Sequence, residues 1–122
     1  MKKKPVILVV DDDAPITILM RSLLREFDFE PVTARSGEEA IEAAREHHPD
    51  LVLLDKNMPG MLCEEVVSTL RSNDGGRRTP ILILSGDPCS KDEIAALDAD
   101  AAVQKPFDVQ GLIRQIRGYL EG

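Results

Sequence analysis

Tryptophan is absent from this 122-residue chain, tyrosine occurs once and phenylalanine three times. Hydrophobic residues still make up 43%, so the core has to be built from aliphatic side chains. Cysteine is scarce too. Cys63 and Cys89 fall in different segments, too few for a disulfide framework and without metal-ligand spacing, and both are expected as reduced thiols. Long apolar runs are missing. The longest, Val6 to Val10, is far short of the roughly 20 residues that cross a bilayer, so no membrane partner is expected. The triplet Lys2-Lys3-Lys4 ahead of it is not a secretory leader, because the apolar stretch is short and runs into aspartates; a cytoplasmic location is the expectation. Basic charge is in deficit, with 15 Lys and Arg against 22 Asp and Glu and a net charge of −7. That balance argues against direct nucleic-acid binding through a basic face and suits a site that holds a cation. No repeat, low-complexity tract or linker interrupts the chain. A single domain over residues 1–122, with a core from about 5 to 120 and no effector domain visible, is expected to bury roughly two-thirds of its unfolded surface.

What the chain does have is alternation. Short continuous apolar runs alternate with amphipathic helical patterns, as in βαβ units whose parallel strands are covered on both faces. The runs are Val6–Val10, a weaker one at Pro31–Ala34, Asp50–Asp55, one following Pro80, and Ala101–Gln104. Asp13 is placed to cap the first helix, with Pro15 in its first turn and Ile16, Leu19, Met20, Leu23, Leu24 and Phe27 on the inner face. Ser36 with Glu39, and Ser90 with Glu93, are capping-box pairs that open the second and fourth helices. The third helix covers about Leu62 to Arg71 with Val66, Val67 and Leu70 inward. The fourth turns Ile94 and Leu97 inward. Asp108 caps the fifth, whose inner face is Val109, Leu112, Ile113, Ile116 and Leu120. His47 and His48 close the second helix, and Arg77-Arg78 is read as a solvated loop. Five strands and five helices imply right-handed crossovers and a doubly wound α/β three-layer sandwich.

The strand ends carry the chemistry. The first run ends in Asp11, Asp12 and Asp13, the third in Asp55, the fourth in Ser85 and the fifth in Lys105. Two like charges about 4 Å apart at an effective dielectric of about 20 repel by roughly 4 kcal/mol, so clustered carboxylates need a cation, a lysine or a raised pKa. In open parallel sheets ligands bind at the carboxyl ends of the strands, where the winding reverses. Carboxylates, a hydroxyl and one lysine converging there suit a hard cation and a phosphoryl group.

With these residues in place the chain resembles the receiver domain of two-component response regulators, over essentially its whole length from Val6 to Leu120. The matching motifs are Val9-Val10-Asp11-Asp12-Asp13, Asp50 to Asp55 with Met58-Pro59-Gly60, Leu84-Ser85-Gly86 and Lys105-Pro106-Phe107. The resemblance implies a flavodoxin-like sheet in the order 2-1-3-4-5. It implies Asp55 as phosphoacceptor, receiving a phosphoryl group from a sensor histidine kinase or phosphotransfer protein. Asp11, Asp12, Asp55 and the backbone carbonyl of Asn57 are implied as Mg²⁺ ligands, Asp12 directly and Asp11 through water. An all-oxygen donor set agrees with that metal. Lys105 is implied to pair with Asp55 and then with a phosphoryl oxygen, and Ser85 to donate its hydroxyl to another. The Lys105-Pro106 bond is implied to be cis. Asn57 and Asp87 occupy positions that tune phosphoryl lifetime, and Lys56, Gly86, Ala102 and Pro106 complete the modulating set. The implied output is a downstream protein docked on the face of the fourth helix, fifth strand and fifth helix, with homodimerisation left open. Beyond catalysing its own phosphorylation and dephosphorylation, such a domain is not an enzyme.

One departure stands out. The family couples Ser85 to an aromatic residue three positions before the lysine, and that position is Ala102 here. Tyr119 lies too far along the chain to replace it locally. A constitutive binding module of receiver fold, working without phosphorylation, is therefore the second reading. A hydrolase of the haloacid dehalogenase type is a third: Asp11 and Asp13 have its spacing, but Asp55 and Lys105-Pro106 would go unexplained.

Overall fold

The computed structural model describes residues 3–121; Met1, Gly122 and Lys2, the first of the lysine triplet, lie outside them. Strands β1 (Val6–Val10), β2 (Glu30–Ala34), β3 (Leu51–Asp55), β4 (Ile81–Ser85) and β5 (Ala101–Gln104) alternate with helices α1 (Ala14–Glu26), α2 (Gly37–His47), α3 (Cys63–Ser72), α4 (Lys91–Leu97) and α5 (Val109–Glu121). The strands form one parallel sheet in the order β2-β1-β3-β4-β5. Every residue of β3 and β4 is buried, which is why these runs are continuously apolar up to their last residue. The edge strands β2 and β5 are only partly covered, and their sequences are correspondingly weaker.

Alternate strand residues feed two cores. Ile7, Val9, Leu51, Leu53, Leu82 and Leu84 pack on Met20 and Leu24 of α1 and on Leu112, Ile113 and Ile116 of α5. Leu8, Val10, Val52, Leu54, Ile81 and Ile83 pack on the other face, against Ala40 of α2 and Val66, Val67 and Leu70 of α3, with Ile94 and Leu97 of α4 at the margin. Gly37 sits where α2 comes close to α3 and the loop before it: a Cβ there would meet Val66 Cγ2 at 2.8 Å and Met61 Cβ at 2.9 Å. Among the described residues no helix is long and apolar enough to cross a membrane.

Two local readings need correction. Leu19 is 56% exposed, and Thr17 takes the inner position, buried with its hydroxyl donating to the Ala14 carbonyl at 2.9 Å. At about 100° of turn per residue, Leu19 lies beyond the stripe centred on Thr17, Met20 and Leu24. Asp13 occupies the cap position of α1, but its carboxylate accepts no capping bond; its own N–H donates to Asp11 Oδ1 at 3.0 Å. The two arginines after the glycine pair lie exposed in a loop, as expected, and are tethered as well: Arg77 donates to the Pro49 carbonyl at 2.7 Å and Arg78 to Asp98 Oδ1 at 2.9 Å. Ser90 and Glu93 close the full capping box and Asp108 accepts from Gly111 N–H, whereas at α2 only half of the box forms: Ser36 accepts from Glu39 N–H, but Glu39 Oε1 takes the Arg35 N–H at 3.3 Å.

Candidate functional site

The chain runs from β1 through α1 to β2 on one side, then returns past β1 to β3, so β1 and β3 flank the point where the winding reverses. Parallel register fixes what stands there. Val10 lies beside Leu54, Asp55 beside Leu84, and Ser85 beside Gln104. Hydrogen bonds beyond the strands hold the ends level: Asp11 N–H donates to the Ala34 carbonyl at 3.1 Å, Lys56 N–H to Leu84 at 2.8 Å and Lys105 N–H to Ser85 at 2.7 Å.

This scaffold brings Asp11, Asp12, Asp55 and Lys105 into one crevice. Carboxylate oxygens of the three aspartates lie within 4.8 Å of one another. Lys105 Nζ sits 3.2 Å from Asp11 Oδ2 and 3.5 Å from Asp55 Oδ1. Asp11 is 1% exposed and Asp55 7%, whereas Asp12 opens to solvent. Burial, followed by repulsion from Asp11, raises the Asp55 pKa above the usual carboxylate value; the Lys105 ammonium and the Asn57 N–H, which donates to Asp55 Oδ1 at 3.4 Å, work against that rise. Burial acts to lower the Lys105 pKa, but Asp11 and Asp55 outweigh it and raise it.

Ser85 is buried at the end of β4, and its Oγ accepts the Asp87 N–H at 3.2 Å. That leaves the hydroxyl proton unspent. Gly86 and Asp87 are exposed in the turn that follows. The Lys105-Pro106 peptide bond is cis, as the resemblance implies. Asn57 is exposed, one residue past Lys56. Ala102 is half-buried on β5, opposite Ile83, and packs on the core face shared by α3 and α4. Tyr119 packs on the opposite face, its hydroxyl donating to the Asp100 carbonyl at 3.3 Å, and does not take the place of a ring at Ala102.

Lys56 points to residues that motif reading passed over. Its ammonium lies 3.0 Å from Glu93 Oε2 and 3.8 Å from Cys89 Sγ. The hydrogen bond to Glu93 raises the Lys56 pKa, and the same bond lowers that of Glu93. Sequence gave Glu93 one job, closing a capping box, and a carboxylate has two oxygens. Cys63 and Cys89 are both free thiols, and burial pushes the Cys63 thiol up to about 11.

The sequence profile of the response regulator receiver domain matches residues 7–117. The polar-differentiation response regulator DivK of Brucella ovis is 33% identical over 116 residues, covering 93% of this chain and 94% of its own. Among solved structures, the chemotaxis protein CheY4 of Vibrio cholerae superposes with a TM-score of 0.88 at 30% identity, over 95% of this chain and 98% of that one. The receiver domain of the sensor histidine kinase PA1611 from Pseudomonas aeruginosa, solved with magnesium coordinated in its active site cleft, superposes with a TM-score of 0.87 at 21% identity, over 98% of this chain and 99% of that one.

Proposed function

Because the chain belongs to the response regulator receiver family of two-component signalling, we propose that Asp55 accepts a phosphoryl group from the phosphohistidine of a sensor histidine kinase or phosphotransfer protein. The observation that carries the reading is the lysine bridge, Lys105 Nζ at 3.2 Å from Asp11 and 3.5 Å from Asp55, with Asp12 completing the carboxylate set. An Asp55 oxygen attacks phosphorus in line, the P–N bond breaks, and its electron pair leaves on the imidazole. The Lys105 ammonium then turns its donors to a phosphoryl oxygen. The Ser85 hydroxyl, its oxygen already held by the Asp87 N–H, donates its proton to another. Such transfer needs positioning and charge neutralisation more than covalent assistance.

The crevice fits a hard divalent cation, since its donors are carboxylates and one lysine does not balance three of them. Asp11, Asp12, Asp55 and the Asn57 carbonyl would hold Mg²⁺, which supplies electrostatic stabilisation of the transferring group. Hydrolysis at the same site ends the signal, with Asn57 and Asp87 beside the phosphoryl setting its lifetime. Gly86 leaves the turn after Ser85 open, and Lys105 reaches inward to Asp11 and Asp55. The domain works in the cytoplasm, and a downstream protein docks on the face of α4, β5 and α5. The constitutive-module reading rests on Ala102 alone and is not favoured.

The test is intact mass after incubation with Mg²⁺ and acetyl phosphate. A single phosphoryl adduct is expected that needs Mg²⁺ and is lost in Asp55→Asn. Absence of the adduct in the unaltered chain, with Mg²⁺ bound, would sink the reading.

A further inference from the structure

Ala102 leaves the chain without a ring to follow Ser85, so a signal starting at Asp55 needs another route to α4. The geometry points to the Lys56–Glu93 ion pair as that route: a clasp that holds the N-terminus of α4 to the phosphoacceptor segment and opposes the phosphorylated state. The inference rests on the phosphoacceptor reading above and adds its output coupling.

Glu93 is bound at both oxygens. Oε1 accepts the Ser90 N–H at 3.2 Å and closes the cap of α4, while Oε2 meets Lys56 Nζ at 3.0 Å. Lys56 is the residue directly after Asp55, and its own N–H is tied to the Leu84 carbonyl at 2.8 Å, one residue before Ser85. The end of α4 is therefore held twice. The loop from Ser85 to Ser90 holds it covalently, and Lys56 holds it through an ion pair with Cys89 Sγ 3.8 Å away. Drawing the Ser85 hydroxyl toward a phosphoryl group moves the first attachment. The second stays with β3, and the ion pair must stretch.

Its strength suits the task. The Lys56 and Glu93 side chains are 28% and 49% exposed, so solvent screens the pair and breaking it is cheap. α4 itself contributes no fully buried residue, only the half-buried Ile94 and Leu97, and is poorly anchored otherwise. By linkage, whatever phosphorylation costs the clasp, removing the clasp returns to phosphoryl affinity.

Beryllofluoride, which occupies the phosphoryl position, is titrated with Mg²⁺ into the unaltered chain, Glu93→Gln, Lys56→Met and the double variant. Glutamine keeps the acceptor that caps α4 and loses only the charge. Each single variant is expected to bind about two- to fivefold tighter, and the double variant no tighter than either. Amide exchange across residues 91–97 should rise on binding in the unaltered chain and be raised already in free Glu93→Gln. Unchanged affinity in both single variants, strict additivity, or α4 exchange indifferent to beryllofluoride overturns the clasp and leaves the phosphoacceptor reading standing. No binding by the unaltered chain overturns both.

Discussion

At the scale of single residues, Lys105 holds the site together. Two buried carboxylates face its ammonium, and removing that ammonium leaves both of them uncompensated. Lys105→Met is expected to destabilise the fold by about 1–3 kcal/mol at neutral pH and to slow phosphorylation, read from urea unfolding and the acetyl phosphate assay. The loss has a pH signature. The Asp55 pKa is raised in the folded chain, so this group favours folding below its unfolded value, and that contribution is lost as pH rises through the folded value. Above that point Asp55 is ionised in a site that resists the charge, and Lys105 matters most. Below it Asp55 is neutral, so the cost of Lys105→Met should shrink as pH falls through the raised Asp55 value. A cost flat with pH would remove the ion pair from the account.

Between elements, the corner where α3, β4 and β5 meet is held by one side chain that no motif announced. Arg71, 10% exposed at its side chain, donates to the carbonyls of Thr79 and Asp98 and to Asp100 Oδ2 at 2.9 Å. Asp100 Oδ2 also accepts the Ile81 N–H at 2.8 Å, so the pair positions the first residue of β4. Arg71→Ala strands these acceptors and should cost about 2–4 kcal/mol by denaturant unfolding. With Asp100→Asn the effects should be clearly non-additive, because both substitutions break one network. The strands, the helix order and the caps at Ser36, Ser90 and Asp108 were legible, because apolar continuity and short-range hydrogen bonds are written in consecutive residues. Arg71–Asp100 and Lys56–Glu93 were not, since their partners lie 29 and 37 positions apart. Leu19 was misread for a related reason: periodicity gives the width of a helix face but not its centre, and the sheet chose Thr17.

Across the whole molecule, the fold trades stability for a site. Four strand ends place Asp11, Asp55, Ser85 and Lys105 at one end of the sheet, and the motifs foretold this gathering because parallel strands of similar length end level. What they could not foretell is which side chains are sealed: Asp11 and Asp55 are buried while Asp12, the neighbour in sequence, is open. The result is a negatively charged crevice in a chain of net charge −7, and bound Mg²⁺ should therefore stabilise the entire domain rather than the crevice alone. A ligand that binds only the folded state adds RT ln(1 + [L]/Kd), about 2.7 kcal/mol at a hundredfold excess over Kd. The melting temperature should climb with Mg²⁺ concentration without a plateau at stoichiometry. Asp12→Asn should abolish the climb while costing little stability in the absence of metal, since Asp12 is exposed. Asp55→Asn should weaken the response and also raise the metal-free melting temperature at neutral pH, because it removes a charge that burial and Asp11 both oppose. Equal Mg²⁺ responses in the unaltered chain and Asp12→Asn would mean that the ion binds elsewhere, and the carboxylate crevice would lose its claim to the metal.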